Sequence, residues 1–171
     1  MVHKSADEKL LSDLRSFLGD RARNGDFELG LYSKDGSVLK GDPMIVCLPL
    51  NTDEVQQIVL ACRKHDRPFL ARGSGTGLAG GAVPIGDPVV IATAKMNKIL
   101  DIDIDNRIAW VEPGVLNLDL SRELSPLGFH FAPDPSSQQV CSIGGNVANN
   151  SGGPHCLAYG VTSAHVAAVE V

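Results

Sequence analysis

Residues 72–81, Arg72-Gly-Ser-Gly-Thr-Gly-Leu-Ala-Gly-Gly81, constrain this chain more than any other stretch. Glycine this dense brings backbone close to something, because without a Cβ the chain turns tightly and presents consecutive N–H groups. The run holds a GxGxxG at Gly75, Gly77 and Gly80, just after a strand predicted over Pro68 to Ala71, which matches the fingerprint of dinucleotide-binding doubly wound sheets. That version needs a helix launched from the third glycine, so that a pyrophosphate rests on its N-terminal amides. Here Gly80 and Gly81 are adjacent, Pro84 and Pro88 follow, and an interior proline costs a helix about 3 kcal/mol. No helix is expected. The loop is left to bind an anion through its own amides, in a concave nest that suits a diphosphate better than a single carboxylate. Arg72 either adds a charge-assisted contact or pins the loop. A plain glycine-rich turn between strands is the competing reading.

A second cluster weakens that competing reading. Pro133-Asp-Pro-Ser-Ser-Gln138 is followed by Ser142-Ile-Gly-Gly-Asn-Val-Ala-Asn-Asn-Ser-Gly-Gly153, dense in residues that expose amides and carry short hydrogen-bonding side chains. Acids and bases fit for catalysis are almost absent from both clusters. Two amide-rich loops, each fed by a strand, suit a large cofactor with phosphates and a polar ring system, and do not suit hydrolysis.

Charge removes other classes. A net charge of -5 and a pI near 5.4 argue against a nucleic-acid partner, which needs a surplus of Lys and Arg on one face. The N-terminus lacks a secretory signal and no uncharged stretch is long enough to span a bilayer, so a cytoplasmic protein is expected. Cys47, Cys62, Cys141 and Cys156 are far apart, with no CxxC pair, and read as buried small hydrophobes.

Periodicity predicts a helix over Asp7 to Leu18, an irregular approach segment over Arg21 to Asp42, and a buried strand over Met44 to Leu48. Asn51, with Glu54 three residues on, caps a helix over Thr52 to His65. Further strands are predicted over Val89 to Thr93, Ile99 to Ile104 and Ile108 to Val111, a helix over Leu116 to Leu127 stopped by Gly128, and a brief extension over Phe129 to Ala132. Pro133 to Gly160 reads as turns except around Ile143 to Ala148, and His165 to Val171 as a last strand. On this reading strands outnumber helices. A strand at the final residue points to truncation, with an unpaired edge that favours association.

Single residues have bland readings beside the functional ones. His155, in Gly-Gly-Pro-His-Cys, is either a hydrogen-bonding strut or a group approaching the cofactor, and Asp134 either tethers its loop or touches the cofactor. His3, His65 and His130 read as surface residues. Asp101, Asp103 and Asp105 alternate with isoleucines and read as one solvated strand face rather than a metal site. Trp110 reads as core, and Tyr159 as an aromatic partner for a ring system.

Pro68 to Pro84, Val111-Glu-Pro-Gly114 and Pro133 to Tyr159 together resemble the vanillyl-alcohol-oxidase (PCMH) type of FAD-binding domain, over nearly all of Met44 to Val171. Within it, Pro133 to Cys156 is similar to the glycolate oxidase D-subunit family and less so to D-lactate dehydrogenases. The resemblance implies an α+β, two-lobed domain truncated at its C-terminus. Residues 1–42 would form an N-terminal helix and approach segment, 43–171 the FAD-binding domain with a first lobe over about 43–104 and a second starting over about 108–171, and FAD would lie between the lobes. It implies that Gly73, Ser74, Gly75, Thr76 and Gly77 cradle the pyrophosphate, that Arg72, Leu78, Gly80 and Gly81 also bind the cofactor, and that Pro113 and Gly114 line it. Pro133, Asp134, Pro135, Ser136 and Ser137, with Ile143, Gly144, Gly145, Val147, Ala148, Asn149, Gly152, Gly153 and Tyr159, would flank the flavin half. Some family members attach flavin through a histidine whose position here is Thr76, which has no nucleophilic nitrogen, so FAD is expected to be noncovalent; Cys141 lies near a second such position but is not assigned to a link. No catalytic residue and no metal ligand is expected in this chain, because the cap domain that supplies them in the family is absent. The implied activity of the whole protein is oxidation of a small 2-hydroxy acid, glycolate or D-lactate, with hydride passing to FAD and electrons leaving through an iron-sulfur subunit at the inner membrane face. The alternative is a truncated, non-catalytic FAD-binding module.

Overall fold

In the computed structural model, which describes residues 2–170, the apolar run Val89–Ala92 is an inner strand of a four-stranded sheet and is buried along its whole length. A strand covered on both faces reads as a continuous apolar run rather than an alternation. The chain divides into two units, Met1–Lys95 and Met96–Val171, and this sheet belongs to the first. In chain order that unit consists of α1 (Val2–Leu18), β1 (Ala22–Arg23), α2 (Asp26–Leu31), β2 (Ile45–Cys47), α3 (Thr52–Lys64), β3 (Phe69–Arg72) and β4 (Val89–Ala92). The sheet order is β1-β2-β4-β3, with β1 antiparallel and the rest parallel; Ile45 and Phe69 both pair with Val89.

Both faces of the sheet are covered. Leu10, Leu14 and Leu18 of α1 and Ile58 and Cys62 of α3 pack over Ile45, Cys47, Val89 and Ile91. The other face, Val46, Leu48, Val90 and Ala92, receives Leu29 and Tyr32. α3 begins as the sequence predicts: Asn51 Oδ1 accepts from Glu54 N at 2.9 Å, and Glu54 Oε2 accepts from Leu50 N at 2.7 Å. The segment 21–42, expected to be irregular, instead holds β1 and α2. Each is too short for its period to show, and each is fixed by what it packs on, β2 and the second sheet face. His65, expected at the surface, is mostly covered and bonds Asp13 Oδ2 at 2.8 Å, which holds the Asp13 carboxyl below its ordinary value.

The second unit has an antiparallel ribbon, β5 (Ile99–Asp103) and β6 (Ile108–Val111), then α4 (Asn117–Leu124), α5 (Ile143–Asn149) and α6 (Cys156–Tyr159). β5 carries an irregularity between Ile99 and Asp101. Ile104 and Asp105 belong to the turn rather than to the strand, so Asp105 does not extend the acidic face; Asp103 instead accepts from Asn106 N and Nδ2 at 3.0 and 2.7 Å. α4 gives way at Pro126 to a 3-10 turn, Ser125–Leu127, which Gly128 ends at φ +82°.

Four further expectations are corrected. Trp110 is 52% exposed rather than core, because it shares the open face of the ribbon with Ile108 while Ala109 and Val111 take the covered one. Phe129 to Ala132 is not a strand, and no strand forms over residues 165–170: Thr162–His165 is a 3-10 turn and the rest has no regular structure, with no ladder partner among the described residues. Val171 lies outside the described residues. Strands do not outnumber helices, since six of each are present among the described residues. Cys47, Cys62 and Cys141 are buried as expected, and Cys156 is half-buried.

Candidate functional site: two glycine-rich loops

The glycine loop belongs to the first unit. β3 ends at Arg72, and residues 73–88 form only turns and bends before β4, as Pro84 and Pro88 require. Arg72 is buried, and both terminal nitrogens of its fork are engaged: Nη1 donates to Ala82 O at 2.9 Å and Nη2 to Lys34 O at 2.8 Å. The guanidinium stands 5.4 Å from the centre of the Tyr32 ring. Burial pulls its pKa down, and Tyr32 and Asp35 oppose that pull. Of the two readings of Arg72, the structure shows the pin. Gly75 sits directly above it at φ +72°, where a Cβ would fall 2.2 Å from Arg72 Nη2, so no other residue fits. Among the described residues, the amides of Ser74 to Gly81 donate to no acceptor. A curved run of free amides above a buried cation has the chemistry to hold an anion.

The second cluster belongs to the second unit and is tied together by backbone. Leu116 bridges Ser142, Ile143 N donates to Val115 O at 2.8 Å, and Gly144 N donates to Pro113 O at 2.8 Å. Gly144 is packed so closely on Pro113 that a Cβ would lie 2.6 Å from the proline Cβ. Ser142 caps α5 by accepting from Gly145 N at 3.3 Å. The loop over residues 133–137 is held at its start: Asn117 Nδ2 donates to Pro133 O at 2.9 Å, and Asp134 bonds His155 through Nδ1 at 2.6 Å and through the backbone N at 3.3 Å. The His155 bond holds the Asp134 carboxyl below its ordinary value. Gly153 rests against Asp134, where a Cβ would meet the carbonyl oxygen at 2.1 Å. His155 and Asp134 are thus strut and tether.

The sequence-predicted residues fall into these two sets: Arg72 to Gly81 in the first unit, and Pro113, Gly114, Pro133 to Ser137 and Ile143 to Gly153 in the second. Val147, Ala148 and Asn149 face outward on α5, and Tyr159 is exposed beside the rings of His130 and His155. The sequence reading missed Tyr32, Asp35, Asn117 and Thr162. Asn117, Asn146 and Thr162 are buried; Asn117 Oδ1, Asn146 Nδ2 and Asp35 Oδ2 have no protein partner. Thr162 closes the end of the cluster by bonding Ser151 O at 2.6 Å. Asn117 left a readable signal, a polar residue three and seven positions before Leu120 and Leu124 on the apolar stripe. Tyr32 and Asp35 left none.

A family model described as "FAD binding domain" matches residues 43–171. The glycolate oxidase subunit GlcD of Escherichia coli (strain K12) is 45% identical over 147 residues, covering 85% of this chain and 30% of that protein. A D-lactate dehydrogenase of Anaerostipes hadrus is 36% identical over 166 residues, covering 95% of this chain and 33% of that one. The chain therefore spans about a third of the length of these relatives. Among solved structures, an alkyldihydroxyacetonephosphate synthase superposes with a TM-score of 0.82 at 23% identity, over 90% of this chain and 31% of that chain, a likeness of fold.

Proposed function

From the premise that this chain belongs to the FAD-binding domain family, we propose that it is the cofactor-holding part of a flavin-dependent oxidase or dehydrogenase of 2-hydroxy acids, glycolate or D-lactate. The observation that carries the reading is the run of acceptor-free amides from Ser74 to Gly81, curved over the occupied guanidinium of Arg72. A diphosphate brings two negative charges and several acceptor oxygens to such a cradle, while Gly75 lets the backbone approach it. Gly73 to Gly77 hold the pyrophosphate. In the second unit, Pro113 and Gly114 line the cofactor, and Pro133 to Ser137 with Ile143 to Gly153 flank the flavin half. Thr76 offers no nucleophilic nitrogen, so the cofactor is held noncovalently. FAD, when bound, accepts hydride from the alpha carbon of the 2-hydroxy acid; the residues of this chain bind and orient. Electrons leave through an iron-sulfur subunit, and the protein is cytoplasmic, peripheral to the inner membrane face through that partner; no helix among the described residues is long and apolar enough to cross a membrane.

A second reading, a module that holds flavin without turning over substrate, is supported by the chemistry of the loops. They offer amides, hydroxyls and carboxamides, and their imidazole, His155, is engaged by Asp134. Mixing the purified chain with FAD, removing the excess and recording the absorbance tests both. Flavin bands that go to the supernatant on acid precipitation support the noncovalent cofactor, and anaerobic bleaching by glycolate or D-lactate then supports the enzyme. Bands without bleaching support the second reading, and no retained flavin sinks both.

A further inference from the structure

The segment 33–41, between α2 and β2, has no regular structure, yet it meets the glycine loop along much of its length, and both lie in the first unit. Gly36 N donates to Gly77 O at 3.0 Å. A Cβ on Gly36 would lie 2.9 Å from Thr76 O and 3.1 Å from Gly77 O, so the strap fits against the loop backbone only without a side chain. Further along, a Cβ on Gly80 would fall 2.7 Å from Leu39 Cδ1, and one on Gly41 would fall 2.1 Å from Pro84 O. Arg72 joins the two from below, one arm on Lys34 O and the other on Ala82 O. Asp35 folds back on the strap, its Oδ1 accepting from Ser37 N at 2.8 Å, while its Oδ2 is buried without a partner and its charge bears on Arg72.

The strap thus takes up a carbonyl of the loop while the amides from Ser74 to Gly81 stay free. We propose that Gly36 and Asp35 are positioning residues for the diphosphate-binding loop, which they hold with its amides turned outward before any cofactor arrives. The inference rests on the reading of Gly73 to Gly77 as the pyrophosphate cradle. It assigns the role to a segment outside the glycine motif, and it makes the effect specific to ligands that carry a diphosphate. A prearranged nest binds more tightly because ordering is not charged against binding.

Three probes separate the possibilities in the full chain: FAD, ADP, which shares only the diphosphate half, and riboflavin, which has no phosphate. Gly36→Ala is expected to weaken FAD and ADP alike by about tenfold or more, the size of one lost hydrogen bond to a charged group, and to leave riboflavin unchanged. Gly30→Ala is the control, since nothing lies within 4 Å of a Cβ there. Asp35→Asn keeps the shape but removes the carboxylate charge that bears on Arg72, and is expected to produce the same pattern, several-fold weaker. It serves if far-UV circular dichroism shows Gly36→Ala unfolded. Unchanged FAD and ADP affinity in both folded variants, or an equal loss of riboflavin, overturns the proposal while the cofactor reading stands. Wild-type chain that binds neither FAD nor ADP overturns the cofactor reading and this inference with it.

Discussion

Removing the guanidinium of Arg72 would leave the carbonyls of Lys34 and Ala82 without their donors and open a space beneath Gly75. Lysine keeps the charge but cannot span both oxygens with a planar fork. Arg72→Lys is therefore expected to cost about 3 kcal/mol in urea unfolding, as charged hydrogen bonds are lost at a buried site. Glu54 sets a pH dependence. Its carboxyl is held below the usual glutamate range by the Arg21 hydrogen bond first, including Nη2 to Oε1 at 2.7 Å, with burial opposing and Leu50 N assisting. A depressed folded pKa means this stability is complete above the ordinary value of about 4.3 and is lost as pH falls through the folded value. Glu54→Gln should be less stable at neutral pH and show a shallower loss of stability on acidification, read by urea midpoints across the acid range; an unchanged slope would rule out Glu54 as its source. At this scale Gly75 and Gly144 were legible, since a glycine motif announces backbone approach. Asp35 was not, because a buried polar atom is recognised only from what surrounds it.

Among the elements, α3 was the most readable, its start written into Asn51 and Glu54 and its inner face into Ile58 and Cys62. The cap can be weighed: Asn51→Ala removes the acceptor for Glu54 N and is expected to cost about 1 kcal/mol, measured by chemical denaturation, with the helix still present by circular dichroism. β4 was equally plain, because strands covered on both faces are apolar throughout. β1 and α2 escaped notice because elements of two and six residues carry too little periodicity and are held by their neighbours. The strand expected over 165–171 failed for the complementary reason: its residues suit a strand, but a strand exists only where a ladder partner accepts it, and Thr162–His165 winds into a 3-10 turn instead.

For the molecule as a whole, cofactor binding and folding are linked. A ligand that binds only the folded chain stabilises it by mass action, so free FAD at a hundred times its dissociation constant should raise the unfolding free energy by about 2.7 kcal/mol. Calorimetric scans at increasing FAD should show a midpoint that climbs with concentration; a midpoint indifferent to FAD would count against the cofactor reading. Read alone, the sequence determined that the chain holds two glycine-rich clusters, that no helix follows the first, and that an apolar strand comes after it, since these depend on glycine, proline and apolar runs that act locally. Tertiary structure alone decided that Arg72 turns inward to pin the loop, that an irregular strap braces it, that His155 holds Asp134, and that Trp110 stands in the open. Those outcomes rest on which groups become neighbours after folding, and local pattern carries no record of neighbours distant in sequence.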